Sequence, residues 1–219
     1  MKWSFSSYDS YNTCARRYFE TRIAKHFVEV PGQAALWGTR VHEALERSVR
    51  DGVPLPSEMP WALLVERLRG APGAIYCERQ LAVDKNLEAC AFDADEAWCR
   101  GIADVLIVHR GKALALDYKS GKRKLTEQLR LMALLTFASF PEVKVVDSGF
   151  IWLKENARID QERFHRCDKA KLWSGFFPRL QQIKQSEDTG IWPAKPSGLC
   201  KNWCSVTSCA YNGNYRRET

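Results

Sequence analysis

The sequence predicts an α/β fold, on three observations. Apolar residues recur at helical spacing through the first part of the chain. Short, partly β-branched apolar runs then flank a tight turn in the middle. A helix, a strand and a further helix follow before a tail rich in Pro, Gly and Cys. The chain has 219 residues, 45% of them hydrophobic, which suffices for one buried core with at most a small appendage.

The first segment, 4 to about 27, reads as helical and carries Cys14 beside Arg16 and Arg17. A helix over 34–50 follows, since Trp37, Val41, Ala44, Leu45 and Val49 share one face; Asp51-Gly52 and Pro54 stop it. Residues 61–68 form a third helical candidate. Strands are expected at 75–83, 102–108 and 113–118, the last two joined through His109-Arg110-Gly111-Lys112, a hairpin signal. Residues 125–137 return to helix, 143–153 to strand, and 171–185 to an amphipathic helix.

No run approaches the roughly 20 apolar residues of a membrane helix, and the start has no signal-peptide core, so a cytoplasmic protein is expected. In a reducing compartment the eight cysteines argue against a disulfide framework and, where clustered, for a metal. The formal net charge of +7 suits a phosphate-rich partner, because neutralised phosphates release counterions.

The chemistry concentrates in Gly101-Ile102-Ala103-Asp104 and Leu116-Asp117-Tyr118-Lys119. Asp117 and Lys119, two apart on a strand, share a face. If Arg110-Gly111 is a two-residue loop, the register that sets His109 against Lys112 also sets Asp104 against Asp117. A four-residue loop keeps that register, and a three-residue loop shifts it by one. Carboxylates so placed sit roughly 5 Å apart at Cβ and repel. A divalent cation compensates them, and so does Lys119; Mg²⁺, which favours carboxylates, water and phosphate oxygens, fits well. The plainer reading is a surface hairpin with solvated Asp and Lys.

These residues resemble the active-site hairpin of RecB-like and Cas4-like PD-(D/E)XK exonucleases, with Asp117 at the Asp/Glu position. Gly38-Thr39-Arg40-Val41-His42-Glu43 resembles the family's helix carrying a metal-binding His. Glu78 occupies the place of a further acidic residue. Gln128 matches the Gln-containing motif, although Met132 stands where an aromatic is expected. The resemblance implies a restriction-endonuclease-like core, a mixed sheet flanked by helices, with N-terminal helices and a cysteine-rich tail. It implies one nuclease domain over 1–219: a helical part at 1–70, the core at 71–190, and a metal-binding tail at 191–219 packing with the N-terminal helix. Asp104, Asp117, Lys119, Glu78 and Gln128 are then the catalytic candidates, and His42, Asp104 and Asp117 the ligands of Mg²⁺ or Mn²⁺.

Cys200, Cys204 and Cys209 fall within ten residues of the tail. Four thiolates are the usual complement of an iron–sulfur cluster or a structural zinc, and Cys14 is the fourth candidate, as in the family's cluster-bearing members. A [4Fe–4S] cluster is expected, with Zn²⁺ the alternative; three residues rather than the usual two separate Cys200 from Cys204. Cys77, Cys90, Cys99 and Cys167 are scattered and read as structural. The implied activity is a Mg²⁺- or Mn²⁺-dependent DNA exonuclease acting on single strands or free ends, in recombination, repair or phage DNA metabolism, with a recombination protein as partner. A Cas4-type enzyme trimming DNA for CRISPR adaptation, with partners from that pathway, is the alternative. So is a metal-stapled DNA-binding module without catalysis. In a phage-encoded protein the compartment is the host cytoplasm.

Overall fold

The computed structural model describes residues 2–123 and 126–215. Leu125, the expected start of a helix, lies outside the described residues, as do the ends of the chain expected to belong to the single domain. The chain divides into two compact units. One is built from Gly32–Ser174 together with Lys2. The other joins Trp3–Pro31 to Gly175–Thr219. Among the described residues no helix is long and apolar enough to cross a membrane.

In the larger unit α3 (Gln33–Asp51) buries Val41, Leu45, Ser48 and Val49 on one stripe, and Gly52, at φ 75°, terminates it in a left-handed turn. After α4 (Ala62–Arg69) come β2 (Ala74–Val83), β3 (Cys99–His109), β4 (Lys112–Lys119), α5 (Gln128–Ser139), β5 (Val145–Trp152), β6 (Arg158–His165) and α6 (Lys169–Ser174). Strand order is β2-β3-β4-β5-β6; β4 and β5 are parallel and the other pairs antiparallel. The sheet is therefore mixed and flanked by helices. Val41, Leu45, Val49, Leu64, Val65 and Leu68 of α3 and α4 pack with Val105, Ile107, Leu116, Tyr118 and Ile151 of the sheet. Helix α5 is buried almost all round. A Cβ on Gly101 would meet Leu135 Cδ1 at 2.6 Å, so glycine lets this helix approach β3 closely.

Strand β6 carries no strand signal in the sequence, because Arg158-Ile159-Asp160-Gln161-Glu162-Arg163-Phe164-His165 has no apolar alternation. It is an edge strand burying only Phe164, and its charges suit an edge. The single helix expected over 171–185 is two, α6 and α7 (Phe177–Thr189).

The smaller unit opens with β1 (Trp3–Ser4) and α1 (Phe5–Thr13), which Ser4 and Ser7 close with a reciprocal capping box. Cys14, extended at φ −166°, breaks the helix expected over 4–27. Short α2 (Ala15–Tyr18) and a π-turn (Phe19–Ile23) follow. Helix α7 ends at left-handed Gly190, and the tail carries one short helix, α8 (Leu199–Asn202). Aromatic packing orders this unit: Trp3, Tyr8 and Phe176 meet at 5.4–5.8 Å, and Trp192 stacks on Phe19 at 5.2 Å.

Candidate active site

Arg110 and Gly111 adopt φ 45° and 74°, the two left-handed positions of a type I′ turn, and His109 pairs with Lys112 as the two-residue loop requires. The ladder runs back only to Val105 and Leu116. One step further, Asp104 and Asp117 stand where β3 and β4 have parted. Asp104 Oδ2 instead accepts the Tyr118 backbone N–H at 2.6 Å. The repulsion expected from facing carboxylates is met by opening the ladder into a fork.

His42 reaches the fork from α3. Its Nε2 lies 3.1 Å from the Tyr118 carbonyl, which can only accept, so that nitrogen carries the proton. Nδ1 then faces Asp104 Oδ2 at 3.4 Å. In the neutral ring this is a bare lone pair against a carboxylate, an arrangement that calls for a proton or a cation. Glu78 completes the group: ligand atoms of His42, Glu78 and Asp104 all lie within 4.8 Å of one another. Glu78 has φ 48° inside β2, while Cys77 and Arg79 keep one register against Val105 and Ala103. A left-handed residue within an otherwise regular strand is strained, and such strain concentrates at functional sites.

Asp117 is held differently. Gln128, at the start of α5, donates Nε2 to Asp117 Oδ1 at 2.6 Å and accepts from Lys119 Nζ at 3.0 Å. Lys119 Nζ also lies 2.6 Å from Asp117 Oδ2, an ion pair that sets a positive charge against this buried carboxylate. Burial, then the Asp104 charge, push the Asp117 carboxyl up to about 6 despite Lys119. Burial and Asp104 likewise push Glu78 up to about 7. Burial opposes charge on His42, but its hydrogen bond to Asp104 and the surrounding carboxylates raise it overall.

The structure thus gathers His42, Glu78 and Asp104 into one donor set and places Asp117, Lys119 and Gln128 in a hydrogen-bonded relay beside it. Two further participants lie outside the sequence motifs. The Tyr118 backbone holds both Asp104 and His42, and no side-chain pattern signals it. Glu46, one turn beyond His42, adds negative charge at Glu78; its spacing was the available signal.

A sequence profile of the PD-(D/E)XK nuclease superfamily matches residues 2–212. The chain belongs to the PD-(D/E)XK nuclease superfamily. Comparison with curated protein sequences finds no match. Among solved structures, the chain is similar to a protein from Eubacterium rectale provisionally named an exonuclease. The TM-score is 0.53 at 10% identity, over 93% of this chain and 86% of that one, a likeness of fold. It also resembles the protein SSO0001, with a TM-score of 0.49 and 13% identity over 96% of this chain and 87% of that one.

In this PD-(D/E)XK protein Cys14 and the three tail cysteines belong to the smaller unit. Cys14, Cys200, Cys204 and Cys209 line one small cavity with Arg16, Arg17 and Lys195. Backbone N–H groups of Lys195 and Ser197 donate to Cys14 Sγ and Cys200 Sγ, each at 3.4 Å. Among the described residues, no three cysteine sulfurs lie within 4.8 Å of one another. Cys77 and Cys90 are half-buried, Cys99 is buried and Cys167 exposed.

Proposed function

We propose that the chain is a Mg²⁺- or Mn²⁺-dependent deoxyribonuclease that degrades DNA from single strands or free ends. The observation that carries this reading is the donor set of His42, Glu78 and Asp104. It combines one imidazole and two carboxylates, with the imidazole oriented by a backbone carbonyl, as ring ligands of metal ions commonly are. Oxygen-rich donors suit hard divalent cations. Such a cation supplies Lewis acidity toward a phosphodiester.

The chain's own residues do the rest. Asp104 is fixed by the Tyr118 N–H and cannot swing away from the donor set. Asp117 adds a further buried carboxylate whose charge is felt at Asp104 and His42, and Lys119 and Gln128 hold it in place. Lys119, pinned by Gln128, sets a positive charge where an attacking water is oriented or a phosphate oxygen held. Recombination, repair or phage DNA metabolism is the setting proposed, with Cas4-type trimming of DNA as the second reading, since the cysteine lobe fits either.

Cys14, Cys200, Cys204 and Cys209 are proposed to hold a [4Fe–4S] cluster. Tetrahedral zinc with Zn–S near 2.3 Å would draw its sulfurs to within about 3.8 Å of each other. Backbone N–H donors at Cys14 and Cys200, with Arg16, Arg17 and Lys195 nearby, would favour the thiolates of such a cluster.

The deciding experiment incubates the purified protein with end-labelled single-stranded and duplex DNA, with Mn²⁺, Mg²⁺ or EDTA. Metal-dependent shortening from ends is expected. Intact DNA under every metal condition, with a folded protein, would remove the reading.

A further inference from the structure

The smaller unit treats its aromatic residues in two ways. Trp3, Tyr8, Tyr11, Tyr18, Phe19, Phe176 and Trp192 pack against one another. Trp203, Tyr211 and Tyr215 are 76%, 57% and 39% exposed and have no ring partner among the described residues. A large ring held in water forgoes its burial energy, and clustered exposed rings mark interaction sites.

These three rings sit on a rigid support. The turn at 211–215 is stapled to α8 and to the segment just after it: Gly213 N donates to Cys200 O at 3.0 Å, and Asn212 Nδ2 to Cys204 O at 2.9 Å. A Cβ at Gly213 would fall 2.3 Å from Lys201 O, so only glycine lets the two backbones meet. Trp203 lies between the two stapled cysteines, at the end of α8, and Tyr211 precedes Asn212. Exposure here belongs to an ordered surface.

The charge around the rings selects the partner. From Gly190 to Tyr215 the sequence holds Lys195 and Lys201 and no Asp or Glu. Lys201 is exposed and has no carboxylate partner among the described residues. Exposed ring faces with unopposed cations fit a strand of unpaired bases, whose faces stack and whose phosphates carry the complementary charge.

We propose that Trp203, Tyr211 and Tyr215, with Lys201, form a stacking platform for single-stranded DNA on the cysteine lobe. The inference rests on the reading of the chain as a DNA nuclease. Stacking tolerates every base, so the platform grips the strand without choosing a sequence.

The test measures fluorescence anisotropy of the full-length protein with labelled oligo(dT) and with an equally long abasic oligomer, EDTA preventing cleavage. Trp203→Ala/Tyr211→Ala should weaken oligo(dT) binding by about 10–100-fold and leave abasic binding within about twofold. Trp203→Phe/Tyr211→Phe, which keeps the ring faces, should restore most of the loss. Unchanged oligo(dT) binding, equal losses on both oligomers, or no rescue by Phe would each overturn the platform. So would self-association of the wild type that Trp203→Ala abolishes while oligo(dT) binding persists, because the rings would then meet a second copy. Wild-type cleavage with Mn²⁺ is scored separately. Base-dependent binding without cleavage sinks the nuclease reading alone, and cleavage with unaltered binding sinks the platform alone.

Discussion

The fork in the larger unit and the cysteine lobe in the smaller one both gather potential ligands, but by opposite means. At the fork, His42, Glu78 and Asp104 crowd within 4.8 Å at the cost of mutual repulsion, and the backbone is strained at Glu78. In the lobe, no three of the four sulfurs lie within that distance of one another, and backbone N–H groups already point at two of them. The first arrangement suits a small hard cation that exchanges water and phosphate. The second suits a centre that stays and holds the backbone in place. Reactivity and stability should therefore separate between the two regions.

The largest effect should come from the fork. Asp104→Ala, Asp117→Ala and Lys119→Ala should each lower turnover on DNA by on the order of 10³-fold or more, while melting temperature stays near that of the wild type. The check pairs single-turnover kinetics with calorimetry on each variant. Turnover by Asp117→Ala within a few-fold of the wild type would break the assignment of the fork as the reacting centre.

Cys204→Ala should do the reverse. It should remove the brown colour expected of anaerobically purified protein and lower the melting temperature by on the order of 10 °C. Activity should fall only in proportion to the folded fraction. Absorption spectroscopy with metal analysis decides: stoichiometric zinc would replace the cluster reading, and metal-free protein with an intact tail would remove the centre.

How much of this was legible in the sequence differs between the regions for physical reasons. The hairpin register is short-range: one turn type at Arg110-Gly111 sets it, so the neighbourhood of Asp104 and Asp117 follows from spacing. The approach of Cys14 to the tail, across more than 180 residues, does not follow from periodicity, and the resemblance alone suggested it. The Tyr118 backbone bonds and the left-handed Glu78 are backbone events, invisible in side-chain pattern. Strand β6 hides because an edge strand buries one face poorly, and the break at Cys14 because Arg16 and Tyr18 continue a helical pattern beyond it.

A smaller effect probes the relay at the fork. Gln128 touches Asp117 with one end and Lys119 with the other. Gln128→Ala should lower activity by about 10–100-fold, as loss of residues that orient ligands does. Gln128→Glu should fare worse, since it sets a carboxylate against Asp117. Metal titrations of activity separate the two ends: a raised metal requirement reports Asp117, and a lowered turnover at saturating metal reports Lys119. Wild-type behaviour of Gln128→Ala on both axes would leave the relay without function.

The smallest effect is a pH dependence of stability, and its sign distinguishes the two regions. Burial and mutual repulsion raise Glu78 to about 7 and Asp117 to about 6, above the usual unfolded values near 4. Between those limits the folded protein holds protons that the unfolded chain has released. The stability contributed by the protonated forms is therefore complete below about pH 4 and lost as pH rises through 6 and 7. His42, also raised, acts in the same direction. Protein without a divalent cation at the fork should melt a few degrees lower at pH 8 than at pH 5. Added Mn²⁺ should recover more at pH 8, where the carboxylates are charged. A thiolate-held centre runs the other way, because acid protonates its ligands and weakens it. Glu78→Gln and Asp117→Asn isolate the contribution of the fork: each should flatten the decline between pH 5 and 8 and leave any acid-side loss from the lobe intact. If melting curves of these variants keep the full wild-type slope, the raised carboxyls are not its source, and the crowding of the fork does not carry the strain ascribed to it.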